Sequence, residues 1–196
     1  MLKIKVILGS TRQGRFGEKP AQWIFEEAKK KEGVDVELLD LCEYPMPFFD
    51  EPASPASIKE PYTNPVVQKW TAKIADGDAF IIVTPEYNHG YPAVLKNALD
   101  YVYKEWNRKA VGFVSYGSVG GARSIEQLRE VAVELQMAPI RASIHLLSAV
   151  YISMMNEQAP VKPELFEPVA KAKDAFLDQL IWLGNALKAA RETEQK

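Results

Sequence analysis

The sequence predicts an α/β domain built on a parallel sheet with helices on both faces. Three observations carry this expectation. Apolar runs of strand length alternate with amphipathic stretches of helical period in a βαβα rhythm. One run, "AFIIVT" at 79–84, is almost continuously apolar, as a central strand buried on both sides must be. Polar, glycine-bearing loops follow the first, third and fourth strands, at the sheet edge where open α/β folds bind ligands.

The first strand is read near 2–8, where Leu2, Ile4, Val6 and Leu8 alternate; the others fall near 34–39, 79–84, 110–116 and 140–149. Helices are expected near 18–31, 65–76, 92–105, 121–136 and 163–190. The first places Trp23, Ile24 and Ala28 at helical spacing and stops at Gly33. The second opens with Asn64 as its cap and Pro65 at its first position, and Pro92 opens the third. The last aligns Leu165, Phe166, Val169, Phe176, Leu177, Leu180 and Leu187 on one broad face. These elements fill the chain, so residues 1–196 are expected to form a single domain.

Composition narrows the function. Hydrophobic residues make up 47% and charged residues 26%, an ordinary globular balance. A net charge of −2 argues against a nucleic-acid surface. No apolar run is long enough to span a bilayer, and the N-terminus enters a strand without signal-peptide architecture. The single cysteine, Cys42, cannot form an internal disulfide and suits a reducing compartment, so a cytoplasmic location is expected. Two histidines and one thiol make a zinc site improbable, and no metal is expected. The segment 41–62 holds five prolines together with Tyr44, Met46, Phe48 and Phe49. It is read as a lid or a subunit contact, with packing on its own domain as the alternative.

The loop "GSTRQGRFG" (9–17) offers close backbone approach, the hydroxyls of Ser10 and Thr11, and two guanidinium groups, Arg12 and Arg15. It leads into a helix N-terminus, which favours anions. It is not a Walker A loop, because Arg15 and Phe16 stand where Lys and Ser/Thr are needed. Nor is it a dinucleotide fingerprint, because Thr11 replaces the second glycine. A terminal monophosphate fits best, with a merely solvated turn as the alternative. The loop "PEYNHGYP" (85–92) supplies carbonyls, amides and a ring without clustered charge, which suits a flat heterocycle. In "YGSVGGA" (116–122), Gly117, Gly120 and Gly121 leave backbone N–H groups free to face a ligand. Together the three loops describe a mononucleotide site.

The stretches "GSTRQGRFGE", "TPEYNHGYPAVLKNALDY" and "SYGSVGGAR", in this order, resemble the NADPH-dependent FMN reductase family of flavodoxin-like proteins over roughly residues 3–155. The resemblance implies a five-stranded sheet of order 2-1-3-4-5 with FMN at the strand 1/strand 3 switch point, the placement generally associated with that topology. Carried onto this sequence, Ser10, Arg12, Arg15, Phe16 and Gly17 hold the phosphate. Pro85, Glu86, Tyr87 and Asn88 line the isoalloxazine, and Ser115, Tyr116, Gly117 and Gly120 complete the ring and ribityl site. The chain departs from the family pattern where Ser and Asn often follow the Arg; here Arg15, Phe16 and Gly17 occupy that region.

The implied activity is an FMN-dependent NAD(P)H oxidoreductase acting on quinones or similar small acceptors such as flavins, azo dyes or metal ions, with NADPH or NADH as co-substrate. The flavin does the chemistry, so no catalytic residue is assigned. His89 is read as a loop residue rather than a proton donor, Glu86 as structural, and His145 as a satisfied core residue. A flavodoxin-type electron carrier, a protein that binds free FMN only as a substrate and a non-flavin phosphate-binding regulator are the alternatives. The helix 92–106 carries more aromatic surface than one sheet face needs, which, with the resemblance, predicts a homodimer, with a tetramer as the alternative.

Overall fold

A computed structural model describes residues 1–155 and 162–194. Five strands run parallel: β1 Leu2–Leu8, β2 Val34–Asp40, β3 Ala79–Pro85, β4 Ala110–Tyr116 and β5 Ala138–Leu146. Their order is β2-β1-β3-β4-β5. β3, the strand read as almost continuously apolar, and its neighbour β4 are buried along their whole length in the sheet interior. The order reverses at β1, so the loops after β1 and β3 leave the same edge in opposite senses, as expected of a doubly wound sheet.

Each face has its own core because successive strand residues point to opposite sides. Leu2, Ile4, Val6, Ile81 and Val83 pack under α1 (Glu18–Lys29) and the long C-terminal helix, α6 (Glu167–Glu194). Ile7, Phe80, Ile82 and Phe113 pack under α2 (Pro65–Asp76), α3 (Ala93–Asp100) and α4 (Ala122–Glu134). Asn64 caps α2 by accepting the Val66 N–H at 2.9 Å, and Pro65 takes the position where a missing N–H costs nothing.

Two lysines interrupt this apolar pattern. Lys5, with 5% of its side chain exposed, reaches Glu37 at 2.6 Å and Asp76 at 2.7 Å. Lys109 donates to the carbonyls of Ile74 and Ala75 at 2.9 and 3.0 Å, capping the C-terminus of α2. Burial pushes the Lys109 ammonium down to about 8. A lysine whose folded pKa lies below its unfolded value penalises folding while it must stay charged. The penalty is complete below pH 8 and fades as pH rises towards 10.5. The stability difference between wild type and Lys109→Met is therefore expected to shift towards wild type across that window, by on the order of 3 kcal/mol. Urea unfolding of both proteins at intervals from pH 7 to 10 checks this; a difference independent of pH refutes it.

Three departures from the sequence reading change an element rather than trim its end. The last strand ends at Leu146, and Ser148–Met155 form a further helix, α5. No glycine or proline marks the change, and a short run apolar on all sides has no period to distinguish strand from helix. The third helix stops at Asp100, because Tyr101 and Trp106 turn into the core; Trp106 is fully buried and bonds the Leu99 carbonyl at 3.3 Å. Residues 163–166 form a 3-10 turn before α6 begins at Glu167.

The 41–62 connection folds onto its own domain. Tyr44 meets Trp70 edge-on at 5.1 Å, and Phe49 and Tyr62 meet Tyr101 at 5.3 and 5.5 Å. Asn97 of α3 ties it down by accepting the Phe49 N–H at 2.9 Å and donating to the Pro47 carbonyl at 2.8 Å. The aromatic surplus that suggested an intersubunit helix is thus covered within the chain; Phe48 alone of these aromatics is left 77% exposed. Among the described residues, no helix is long and apolar enough to cross a membrane.

Candidate functional site

The loop after β1 starts where two strands crowd. Gly9 donates to the Val83 carbonyl at 2.9 Å, and a Cβ there would sit 3.0 Å from that oxygen and from Leu95. Ser10 follows fully buried, its hydroxyl 2.9 Å from the Tyr87 hydroxyl, which ties this loop to the one after β3.

The two arginines have different surroundings. Arg15, with 7% of its side chain exposed, turns inward. It pairs with Asp40 at the end of β2 and donates to the Ser10 carbonyl at 2.6 Å and to Glu18 at 3.1 Å. Burial opposes its charge, but the Asp40 carboxylate outweighs that and raises its pKa. Arg12 is exposed and stands over the Tyr87 ring at 5.5 Å; among the described residues it has no carboxylate partner. The N–H groups of Thr11, Gln13 and Gly14 beside it take no acceptor among the described residues.

Phe16 and Gly17 lie beneath this loop. Phe16 is buried edge-on against Tyr116 and Tyr151, both at 4.9 Å. A Cβ on Gly17 would come within 2.7 Å of the Tyr116 hydroxyl, so glycine lets α1 start against the sheet edge. That hydroxyl is buried without a well-formed hydrogen bond, and burial raises its pKa. The Tyr116 side chain therefore supports the first loop from below.

After β3, Tyr87 and Gly90 exchange backbone hydrogen bonds of 2.8 and 3.0 Å around Asn88 and His89. Both central residues have positive φ, 49° and 70°, the conformation of a tight two-residue turn. Pro85 and Glu86 are held from α4, by Ser124 and Arg123. The His89 ring is exposed and forms no hydrogen bond among the described residues. After β4, Ser115 is buried and donates to the Gly120 carbonyl at 2.5 Å. His145 lies 3.1 Å from the same carbonyl through Nδ1 and 2.8 Å from the Ser143 hydroxyl through Nε2, so its ring is satisfied, as expected, although it is half-buried rather than in the core. Gly117, Gly120 and Gly121 all have positive φ, which lets the chain reverse into α4.

The fold thus brings all three predicted loops to one edge, with a cation and N–H groups that have no partner among the described residues beside a turn of polar backbone. It keeps the side chains of Arg15, Phe16, Ser115 and Tyr116 for internal contacts. Sequence reasoning missed Asp40, Arg123, Ser124 and Gln127, which hold these loops. Only Arg123, two residues past the glycine pair Gly120–Gly121 of the third loop, had a local signal.

A doubly wound sheet of order 2-1-3-4-5 with an anion-competent loop after β1 defines a flavodoxin-like protein. Residues 2–150 match the family model described as NADPH-dependent FMN reductase. The chain is 42% identical over 146 residues to an NAD(P)H-dependent FMN reductase of Schizosaccharomyces pombe, covering 74% of this chain and 73% of that one. It is 30% identical over 154 residues to an NAD(P)H:quinone oxidoreductase of Solanum tuberosum, covering 76% of each. In fold it is similar to the flavoenzyme NAD(P)H:(acceptor) oxidoreductase of Paracoccus denitrificans, with TM-score 0.67 at 18% identity over 92% of this chain and 97% of that one. The chain belongs to the NADPH-dependent FMN reductase family, whose chemistry is that of an FMN-dependent NAD(P)H oxidoreductase.

Proposed function

We propose that the three loops hold FMN, and that the protein uses NADPH or NADH to reduce quinones or similar small acceptors. The observation that carries the reading is the contrast between the two arginines. Arg15 is spent on Asp40, whereas Arg12 and the neighbouring open N–H groups remain for an anion. The donor set fits a phosphate monoester, because the 9–17 loop carries no carboxylate and Glu18, which opens α1, already faces Arg15.

FMN, when bound, supplies the hydride transfer chemistry. The chain binds, orients and shields. Arg12 and the backbone of 11–14 grip the phosphate. The turn at 85–92 and the glycines of the third loop present backbone donors and acceptors to the ring edge. Ser10 and Tyr87 keep the phosphate and ring loops at a fixed distance.

Arg12→Ala removes a charge-assisted contact worth about 1.5–3 kcal/mol. FMN affinity is expected to fall roughly ten- to a hundredfold, while riboflavin, which lacks the phosphate, binds almost as before. Fluorescence titration of apoprotein with both flavins measures this. Equal losses for both would place Arg12 elsewhere in the site. Steady-state NAD(P)H oxidation with and without a quinone then tests turnover. An FMN-loaded protein that reduces no acceptor is a carrier instead.

The protein is further proposed to act in the cytoplasm, as one flavin-binding domain, without nucleic acid or membrane partners and as a homodimer. With α3 covered by the chain itself, the exposed Phe48 is the apolar feature that supports a second copy on that side. Light scattering decides the assembly; a monomer mass at micromolar concentration rejects it.

A further inference from the structure

The turn Tyr87–Gly90 costs energy to hold. Asparagine tolerates the left-handed region, but histidine enters it at a penalty, and here the two are consecutive. Such backbone persists only where its surroundings over-determine it. Those surroundings belong mainly to one element. In the first two turns of α4, Ser124 donates to the Pro85 carbonyl at 2.9 Å. The Arg123 N–H donates to the Glu86 carboxylate at 3.2 Å, and its guanidinium pairs with the same group. Gln127 donates to the His89 carbonyl at 2.9 Å, and its side-chain oxygen lies next to Gly90. Glu86 has only 5% of its side chain exposed, and Arg123 is its ion-pair partner.

We infer that Arg123, Ser124 and Gln127 are positioning residues that hold the strained 85–90 turn in the shape that receives the flavin ring. This rests on the FMN reading above. The arrangement gives the site two separately braced parts, joined by the Ser10–Tyr87 hydroxyl contact. The first loop, organised from β2 through Asp40 and Arg15, serves the phosphate. The second, organised from α4, serves the ring. Each contact from α4 ends on a backbone carbonyl or on Glu86, so α4 acts on the ligand only through the turn. Its contribution concerns the isoalloxazine first and reaches the phosphate loop only through Tyr87.

The test uses flavin-free protein titrated with FMN and with riboflavin, alongside thermal unfolding. Arg123→Met is expected to weaken both flavins by a similar factor, about tenfold. Gln127→Ala, which leaves no buried charge behind, is expected to weaken both about threefold with little change in Tm. The midpoint potential of bound FMN should shift in both variants, because the groups presented to the ring move; a change in stability alone would not alter it. Glu86→Gln combined with Arg123→Met removes the unpaired carboxylate and should recover part of the lost affinity for both flavins. If Arg123→Met fails to fold, Gln127→Ala carries the test. Wild-type affinity and potential in Gln127→Ala overturn the inference, and so does a loss confined to FMN in either variant. Failure of the wild-type protein to bind either flavin overturns the FMN reading itself, and the inference with it.

Discussion

Gly121→Ala is expected to lower the unfolding free energy by about 4 kcal/mol and to abolish flavin binding. Two separate costs add at this position. Gly121 has φ 73°, where a residue with a Cβ pays about 1–2 kcal/mol. The new Cβ would also stand 2.5 Å from the Ser115 Cβ and 3.0 Å from the Tyr116 nitrogen, an overpacking worth about 1–3 kcal/mol. Neither neighbour can retreat, since both belong to fully buried β4. Gly14→Ala is the matched control. It has φ 64°, but a Cβ there meets nothing within 4 Å, so it should cost only the conformational part. Urea unfolding of the two variants separates the terms; equal losses would show that the contact with Ser115 is relieved at no cost.

Asp40→Ala is expected to cost about 3 kcal/mol and to weaken FMN binding although Asp40 touches no ligand in the proposed site. Removing one member of a buried ion pair leaves the other charge without compensation. Asp40 and Arg15 have 24% and 7% of their side chains exposed, so solvent screens the pair little. Asp40 also accepts the Cys42 N–H at 2.9 Å, and that turn is lost with it. Released from Asp40, Arg15 no longer fixes the Ser10 carbonyl, and the phosphate loop loosens. The double variant Asp40→Leu with Arg15→Leu leaves no buried charge and should recover most of the stability without the affinity. Recovery of both would mean that Arg15 does not order the loop.

Much of the fold was legible because its signals are local. The period-2 pattern of Leu2, Ile4, Val6 and Leu8 and the unbroken "AFIIVT" each require only neighbouring residues to be interpreted. Asn64 and Pro65 marked a helix start for the same reason. The α5 boundary was illegible, since the run after Leu146 is apolar on every side and lacks punctuation. The fate of 41–62 was illegible too. Its aromatics announced a need for burial, but whether their partner was Tyr101 of the same chain or a second copy is a question of distance in space.

By itself the sequence determined the alternation of strands and helices, the three loops at the strand ends and, through its motifs, the family and its flavin. These depend on residue type and spacing along the chain. The tertiary structure alone decided how nearly identical side chains divide the work. Arg12 and Arg15 lie three residues apart with the same chemistry, and their separation into an exposed cation and a buried brace comes from Asp40, which β2 brings alongside Arg15 from 25 residues away. Likewise Glu86, open to reading as a ligand group, is occupied by Arg123, which α4 delivers from 37 residues away. A charge is committed or left available by what folding places beside it, and that partner is not written in the local pattern.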